Sequence, residues 1–146
     1  MPKESRVALM QYRFEQSQGC LNDAKRDIEA QSYKAATNRS YYCIFHAMRA
    51  ILALDEFDSK THPGVITKFR QLYIKTGLFP TDFSDMIQRS WNNRGKSDYE
   101  DFFIISKELA VKQIKDAEVF LLAIEEYIKT ILPKTDAEQT PDVAVN

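Results

Sequence analysis

Arg39, Tyr42, His46 and Arg49 recur at spacings of three, four and three in a stretch, residues 35–54 (AATNRSYYCIFHAMRAILAL), that is otherwise almost wholly apolar. At about 100° per residue the four fall in one stripe along a helix. A fixed guanidinium suits phosphate, an imidazole titrates near neutrality, and a phenol hydrogen-bonds to either. Cleavage of RNA by attack of its own 2′-hydroxyl needs this equipment: an acid or base near neutrality, and a cation for the charge that develops on phosphate. The alternative is structural, with Arg39 paired to a carboxylate of a neighbouring helix and His46 a satisfied core histidine.

Two further groups carry possible chemistry. Residues 92–99, NNRGKSDY, are polar, basic and aromatic-ended. They offer Asn93, Arg94, Lys96, Asp98 and Tyr99 to a ligand. They also read as a loop whose Asp98 caps the last helix and whose Tyr99 packs on the core. Residues 59–62, SKTH, are most simply helix-capping residues, with His62 a lesser site candidate.

Elements of the right kind surround these residues. A helix apolar nearly all round is a buried one, so the stripe on residues 35–54 must face a partner side chain, a cleft or another subunit. Before it, Val7, Met10, Phe14, Leu21, Ala24 and Ile28 keep a three/four spacing, with Ser17 in one slot, and predict an amphipathic helix over 5–31. The short connection at Ser32, a potential cap, implies an antiparallel hairpin with a helix over 33–56. A third helix is expected over 63–76, begun by Thr61 or His62 and Pro63 and ended by Gly77. A fourth over 82–94 carries Phe83, Met86, Ile87 and Trp91. The last, over 102–132, has the cleanest seam: Ala110, Ile114, Ala117, Leu121, Ile124, Ile128 and Ile131. Such a seam packs lengthwise on another helix. The expected fold is all-α, an antiparallel bundle of about five helices in one domain over 1–132. The tail 133–146 lacks periodicity and bulk and is expected to be disordered.

Composition narrows the function classes. With 146 residues the chain suffices for one good core and falls short of two domains. Cys20 and Cys43 lie inside helical patterns without metal-ligand or CxxC spacing, so no metal, cofactor or disulfide framework is expected. There is no long uncharged apolar run and no signal-peptide pattern, so a cytoplasmic protein without membrane contact is expected. The net charge of −1 is unevenly spread: residues 60–96 carry seven basic and two acidic side chains. That concentrates positive potential where a phosphate-bearing partner could dock.

The runs RSYYCIFHAMRAIL, SKTHPGVITKFRQLYIKTG and RGKSDYE, in this order and spacing, resemble the HEPN family (higher eukaryotes and prokaryotes nucleotide-binding), especially its small prokaryotic single-domain members. The resemblance covers roughly residues 21–132. It implies a helical bundle, usually dimeric. Many such domains are metal-independent endoribonucleases with an Arg, four to six residues, then His; others bind nucleotide or RNA, or partner a small nucleotidyltransferase in toxin–antitoxin pairs. The signature arginine corresponds to Arg94, but Asp98 and Tyr99 follow it where a histidine is expected. Arg39 and His46 have the spacing on an earlier helix. The resemblance therefore implies a homodimeric binder of RNA, nucleotide or a nucleotidyltransferase; the sequence adds a second reason to expect a dimer, the exposure of the aromatics Trp91, Tyr99 and Phe102 beside the basic segment. The alternatives are a ribonuclease using Arg39, His46 and Arg94, and a purely structural helical module.

Overall fold

The computed structural model describes residues 2–99 and 101–132. It is all-α: α1 (Lys3–Glu29), α2 (Tyr33–Ala53), α3 (His62–Phe69), α4 (Asp82–Tyr99) and α5 (Lys107–Ile131), with no strand among the described residues. Helix α2 is the axis of the bundle. Thirteen of its 21 residues are buried, and it packs against each of the other four helices. No helix is long and apolar enough to cross a membrane. The expected tail, 133–146, lies outside the described residues.

The α1/α2 hairpin follows from residue size. Ser17, in an otherwise apolar slot, is fully buried because its hydroxyl donates to the Cys43 carbonyl at 2.6 Å, so a polar residue sits in the core without an unpaired group. Gln31 takes a left-handed φ of 60° in the turn. Ser32 holds the cap position of α2 but makes no side-chain cap bond. On α5 the seam is buried from Ala110 to Ile128 with Phe120 added, while Ile131 is 42% exposed.

Thr61 caps α3 through the Gly64 N–H at 3.1 Å. The helix then continues through one wider turn over Arg70–Ile74, closed by the Lys75 N–H on the Arg70 carbonyl at 2.8 Å. Apolar spacing does not announce such a turn, but its use is visible: Arg70 reaches Ser84 Oγ at 2.9 Å and Gln88 Oε1 at 2.9 Å and ties this segment to α4. Gly77 closes it at φ +82°, a conformation L side chains resist.

Two expectations are corrected at the C-terminal half. Residues 92–99 are not a loop but the last turns of α4, which runs five residues past the expected end. Asp98 accordingly does not cap the last helix: it sits one turn from Arg94, and Ser106 caps α5 by accepting the Leu109 N–H at 3.1 Å. Helix α5 thus begins at Lys107 rather than 102, after an irregular segment.

Candidate phosphate-binding site

Tyr42 is the point on which arginine and histidine side chains of three helices converge. From its own helix, Arg39 lies one turn before it with Cζ 5.0 Å from the ring centroid, and His46 one turn after it with ring centroids 5.9 Å apart. From α4, Arg94 brings Cζ to 5.9 Å of the same ring. From the first residue of α3, His62 meets it edge-on at 5.8 Å. Arg39 and His46 therefore share a face, and the helix carrying Arg94 comes to it.

A floor of aromatic rings holds this arrangement. Phe45 stacks on His62 at 4.0 Å with planes 11° apart, and Tyr41 and Trp91 complete the layer around the imidazole. Arg94 lies 5.2 Å from the Trp91 ring and 5.6 Å from that of Tyr41. Each such cation–π contact is worth about 0.5–2 kcal/mol and fixes the guanidinium plane. Trp91, expected exposed, thus turns inward, and the aromatics left outside are Tyr99 and Phe102.

The arginines differ in what neutralises them. Arg49 is engaged by Asp58 at 3.3 Å, and the buried Arg13 grips the same carboxylate at 3.2 Å and the Arg49 carbonyl at 3.1 Å. The carboxylate pairing considered for Arg39 thus belongs to Arg49. Arg39 spends Nε and one terminal nitrogen on the neutral amide oxygen of Asn38, at 3.1 and 2.8 Å, and meets no carboxylate among the described residues. Arg94 has Asp98 at 3.7 Å, beyond hydrogen-bond reach, and its buried Nε is without a hydrogen-bond partner. Asn93 faces inward, donating to Gln113 Oε1 at 2.8 Å. Lys96 is exposed, 5.9 Å from the Phe103 ring, and Tyr99 projects outward at 81% exposure. The proposed site residues thus divide into a convergent group (Arg39, Tyr42, His46, Arg94) with Asp98 beside Arg94, and an outlying one (Asn93, Lys96, Tyr99), with Arg49 held by Asp58.

Burial first, then Arg49, Arg39, Arg13 and His62, bring the His46 pKa down to about 4, and its Nδ1 is enclosed without a partner. Burial and the nearby Arg94 and Arg49 also lower His62. Both imidazoles are neutral near pH 7. An unfolded chain, with histidines near 6.5, binds protons that the folded one refuses. The stabilisation is therefore complete above about pH 6.5 and is lost as the pH falls towards 4. The melting temperature should fall over that window, and His46→Leu should flatten the fall; an unchanged slope would remove His46 as its source.

Burial raises the Cys43 thiol to about 12, which makes it an inert core residue. Among the described residues no cluster of three His, Cys, Asp or Glu could hold a metal ion. Tyr41, Trp91 and His62 are the members of this centre that spacing left out or ranked low. The available signals were a histidine opening a helix and a tryptophan one turn before Arg94.

This chain is similar to known proteins over most of its length. The model of the HEPN domain matches residues 10–127. A UPF0332 protein of Archaeoglobus fulgidus is 35% identical over 112 residues, covering 77% of this chain and 89% of that protein. Two proteins of Methanocaldococcus jannaschii, each named "Putative toxin", are 34% identical over 77% of this chain and 83% of theirs, and 27% identical over 84% of this chain and 89% of theirs. The five-helix architecture and a family match over residues 10–127 agree, and this chain belongs to the HEPN family.

Proposed function

We propose that this chain binds the phosphates of RNA or of a nucleotide between Arg39 and Arg94, over the Tyr42 ring, and that it works as a homodimer beside a small nucleotidyltransferase in a toxin–antitoxin type system. The observation that carries the reading is the pair of guanidiniums drawn to one ring, within 5.9 Å of its centroid, with no carboxylate hydrogen-bonded to either. Arg94 keeps only the longer 3.7 Å ion pair with Asp98, and guanidiniums are suited to bidentate bonding with phosphate oxygens. The names of the Methanocaldococcus relatives support the toxin context.

The test is binding of a short single-stranded oligoribonucleotide at several salt concentrations. Two phosphate-contacting arginines should give a log–log slope near −1.4, at about −0.7 per contact on a single strand. Absence of saturable binding, to the oligonucleotide and to AMP alike, would end the proposal.

A ribonuclease reading is favoured by one fact, that Arg39, His46 and Arg94 all lie within 6 Å of Tyr42. Against it, a histidine depressed to about 4 is a weak base and, being neutral, a weak acid. Little or no cleavage above background is expected with chelator present; robust turnover abolished by His46→Ala in a folded protein would reverse this.

Homodimerisation has its own support at the end of α4 and in the connection to α5, where Tyr99, Phe102 and Ile104 are 81, 94 and 86% exposed. Apolar side chains so bare commonly mark an interaction surface. Light scattering should give twice the 16.9 kDa chain mass, and Phe102→Asp should return the monomer; a monomer at tens of micromolar in the wild type would count against the dimer.

A further inference from the structure

Tyr41 and His62 form a unit that the arginine-centred reading does not use. The Tyr41 ring is fully buried in α2, and its hydroxyl lies 2.6 Å from His62 Nδ1, its one hydrogen bond among the described residues. Burial holds the Tyr41 pKa above its usual value, so the hydroxyl keeps its proton. A buried O–H must give that proton to an acceptor, and Nδ1 is the one in reach. An imidazole accepting at Nδ1 carries its own proton on Nε2.

The rest of the surroundings fix where that proton points. Phe45 stacks on the ring at 4.0 Å, Trp91 flanks it at 5.6 Å, and the Thr61 cap anchors the backbone at the start of α3. Gly64 makes the tight start possible: a Cβ there would come within 3.0 Å of Ser59 Cβ. His62 is only half-buried, and its Nε2 makes no hydrogen bond to the described protein. Arg94 shares three of its ring neighbours, Tyr41, Tyr42 and Trp91.

We propose that His62 Nε2–H is a further phosphate-binding donor of this site, held in that tautomer by the Tyr41 hydroxyl. The inference rests on the phosphate-binding reading given above. The ligand atom is a phosphate oxygen, supplied by an RNA backbone or a free nucleotide. A neutral N–H adds a hydrogen bond beside Arg94 without adding a third positive charge. It also leaves Nε2 with no lone pair to take the proton of a 2′-hydroxyl, in keeping with binding rather than cleavage. The titratable and charged groups around His62 are Tyr41, Tyr42, His46 and Arg49 from α2 and Arg94 from α4. Burial first, and then Arg94 and Arg49, oppose its protonation, so the neutral donor is the form present near neutral pH.

The chain has two histidines, so long-range proton–nitrogen spectra of the labelled full chain resolve both tautomers, with His46→Gln giving the assignment. His62 should carry its proton on Nε2, and Tyr41→Phe should yield a mixture. A mixed-sequence single-stranded oligoribonucleotide and, separately, AMP serve as probes; which binds more tightly distinguishes backbone from free nucleotide, and either supports the shared phosphate chemistry. His62→Ala should weaken binding by about tenfold to a hundredfold, the usual worth of a hydrogen bond to a charged group. His62→Gln, whose amide N–H falls near the Nε2 position, should recover most of this, and His62→Asn, whose amide falls near Nδ1, should not. That contrast separates the donor from a merely structural ring. An Nδ1–H tautomer, or His62→Ala and His62→Asn binding as tightly as wild type while Arg94→Ala loses affinity, overturns the assignment of His62 and leaves the arginine site standing. Failure of the wild type to bind either probe overturns both.

Discussion

Arg94→Ala is expected to weaken binding of single-stranded RNA by about tenfold to a hundredfold, with the chain still folded. The magnitude follows from roughly 1.5–3 kcal/mol for a hydrogen bond to a charged group and about 1.4 kcal/mol per tenfold in affinity. Arg94 belongs at the upper end. Its guanidinium is already oriented by the rings of Trp91, Tyr41 and Tyr42 at 5.2–5.9 Å, so little conformational freedom is lost when a phosphate arrives. The salt slope should shrink by about 0.7, one single-strand phosphate contact. Arg94→Lys keeps the charge but loses the planar fork and the stacking, and should fall between wild type and alanine. Arg49→Ala is the control within the same stripe: with Asp58 already neutralising it, its loss should lower stability and leave the salt slope nearly unchanged. Equal slopes for Arg94→Ala and wild type would remove Arg94 from the ligand.

The contrast between Arg94 and Arg49 shows what was readable in the sequence. Periodicity identified α2 as a buried helix because nothing else explains apolar residues on every side of a 21-residue helix. It put Arg39, Tyr42, His46 and Arg49 on one stripe because helical spacing is local. Which arginine is neutralised depends on Asp58, in the loop nine residues after Arg49, and loops carry no period from which to infer such a contact. The same holds for His62. Its neighbours in the chain speak only of capping, and its place against Phe45 and Tyr41 is set by how α3 packs on α2. The end of α4 is hidden for a different reason: NNRGKSDY has mostly weak helix formers and no apolar stripe, but Gln113 of α5 and the rings of Tyr41 and Tyr42 of α2 hold it through Asn93 and Arg94. Propensity is a weak prior that tertiary contacts override.

One of those contacts gives the second large effect, at a residue that touches no ligand. Gln113, 3% exposed on α5, donates to the Thr37 carbonyl and Ser40 Oγ of α2, each at 2.8 Å, and accepts from Asn93 of α4 at 2.8 Å. It therefore joins three helices through one amide, and its α4 partner is the residue before Arg94. Gln113→Leu keeps the volume and removes every bond. Ser40 Oγ still donates to the Thr37 carbonyl, whereas the Asn93 amide loses its acceptor; at about 1–3 kcal/mol for an unpaired buried group, the loss should be roughly 1–3 kcal/mol. At about 2–4 °C per kcal/mol for a domain of this size, the melting temperature should drop by on the order of 2–12 °C. Gln113→Glu keeps an acceptor for Asn93 but turns a carboxylate onto the Thr37 carbonyl. It should be at least as damaging at neutral pH and partly relieved in acid, where the carboxyl regains a proton to donate. Because Asn93 anchors the turn that carries Arg94, both variants should also lose RNA affinity several-fold at temperatures where they remain folded. Calorimetric melting and binding on the same samples separate the two effects. A lowered melting temperature with wild-type affinity would mean that the aromatic floor alone positions Arg94.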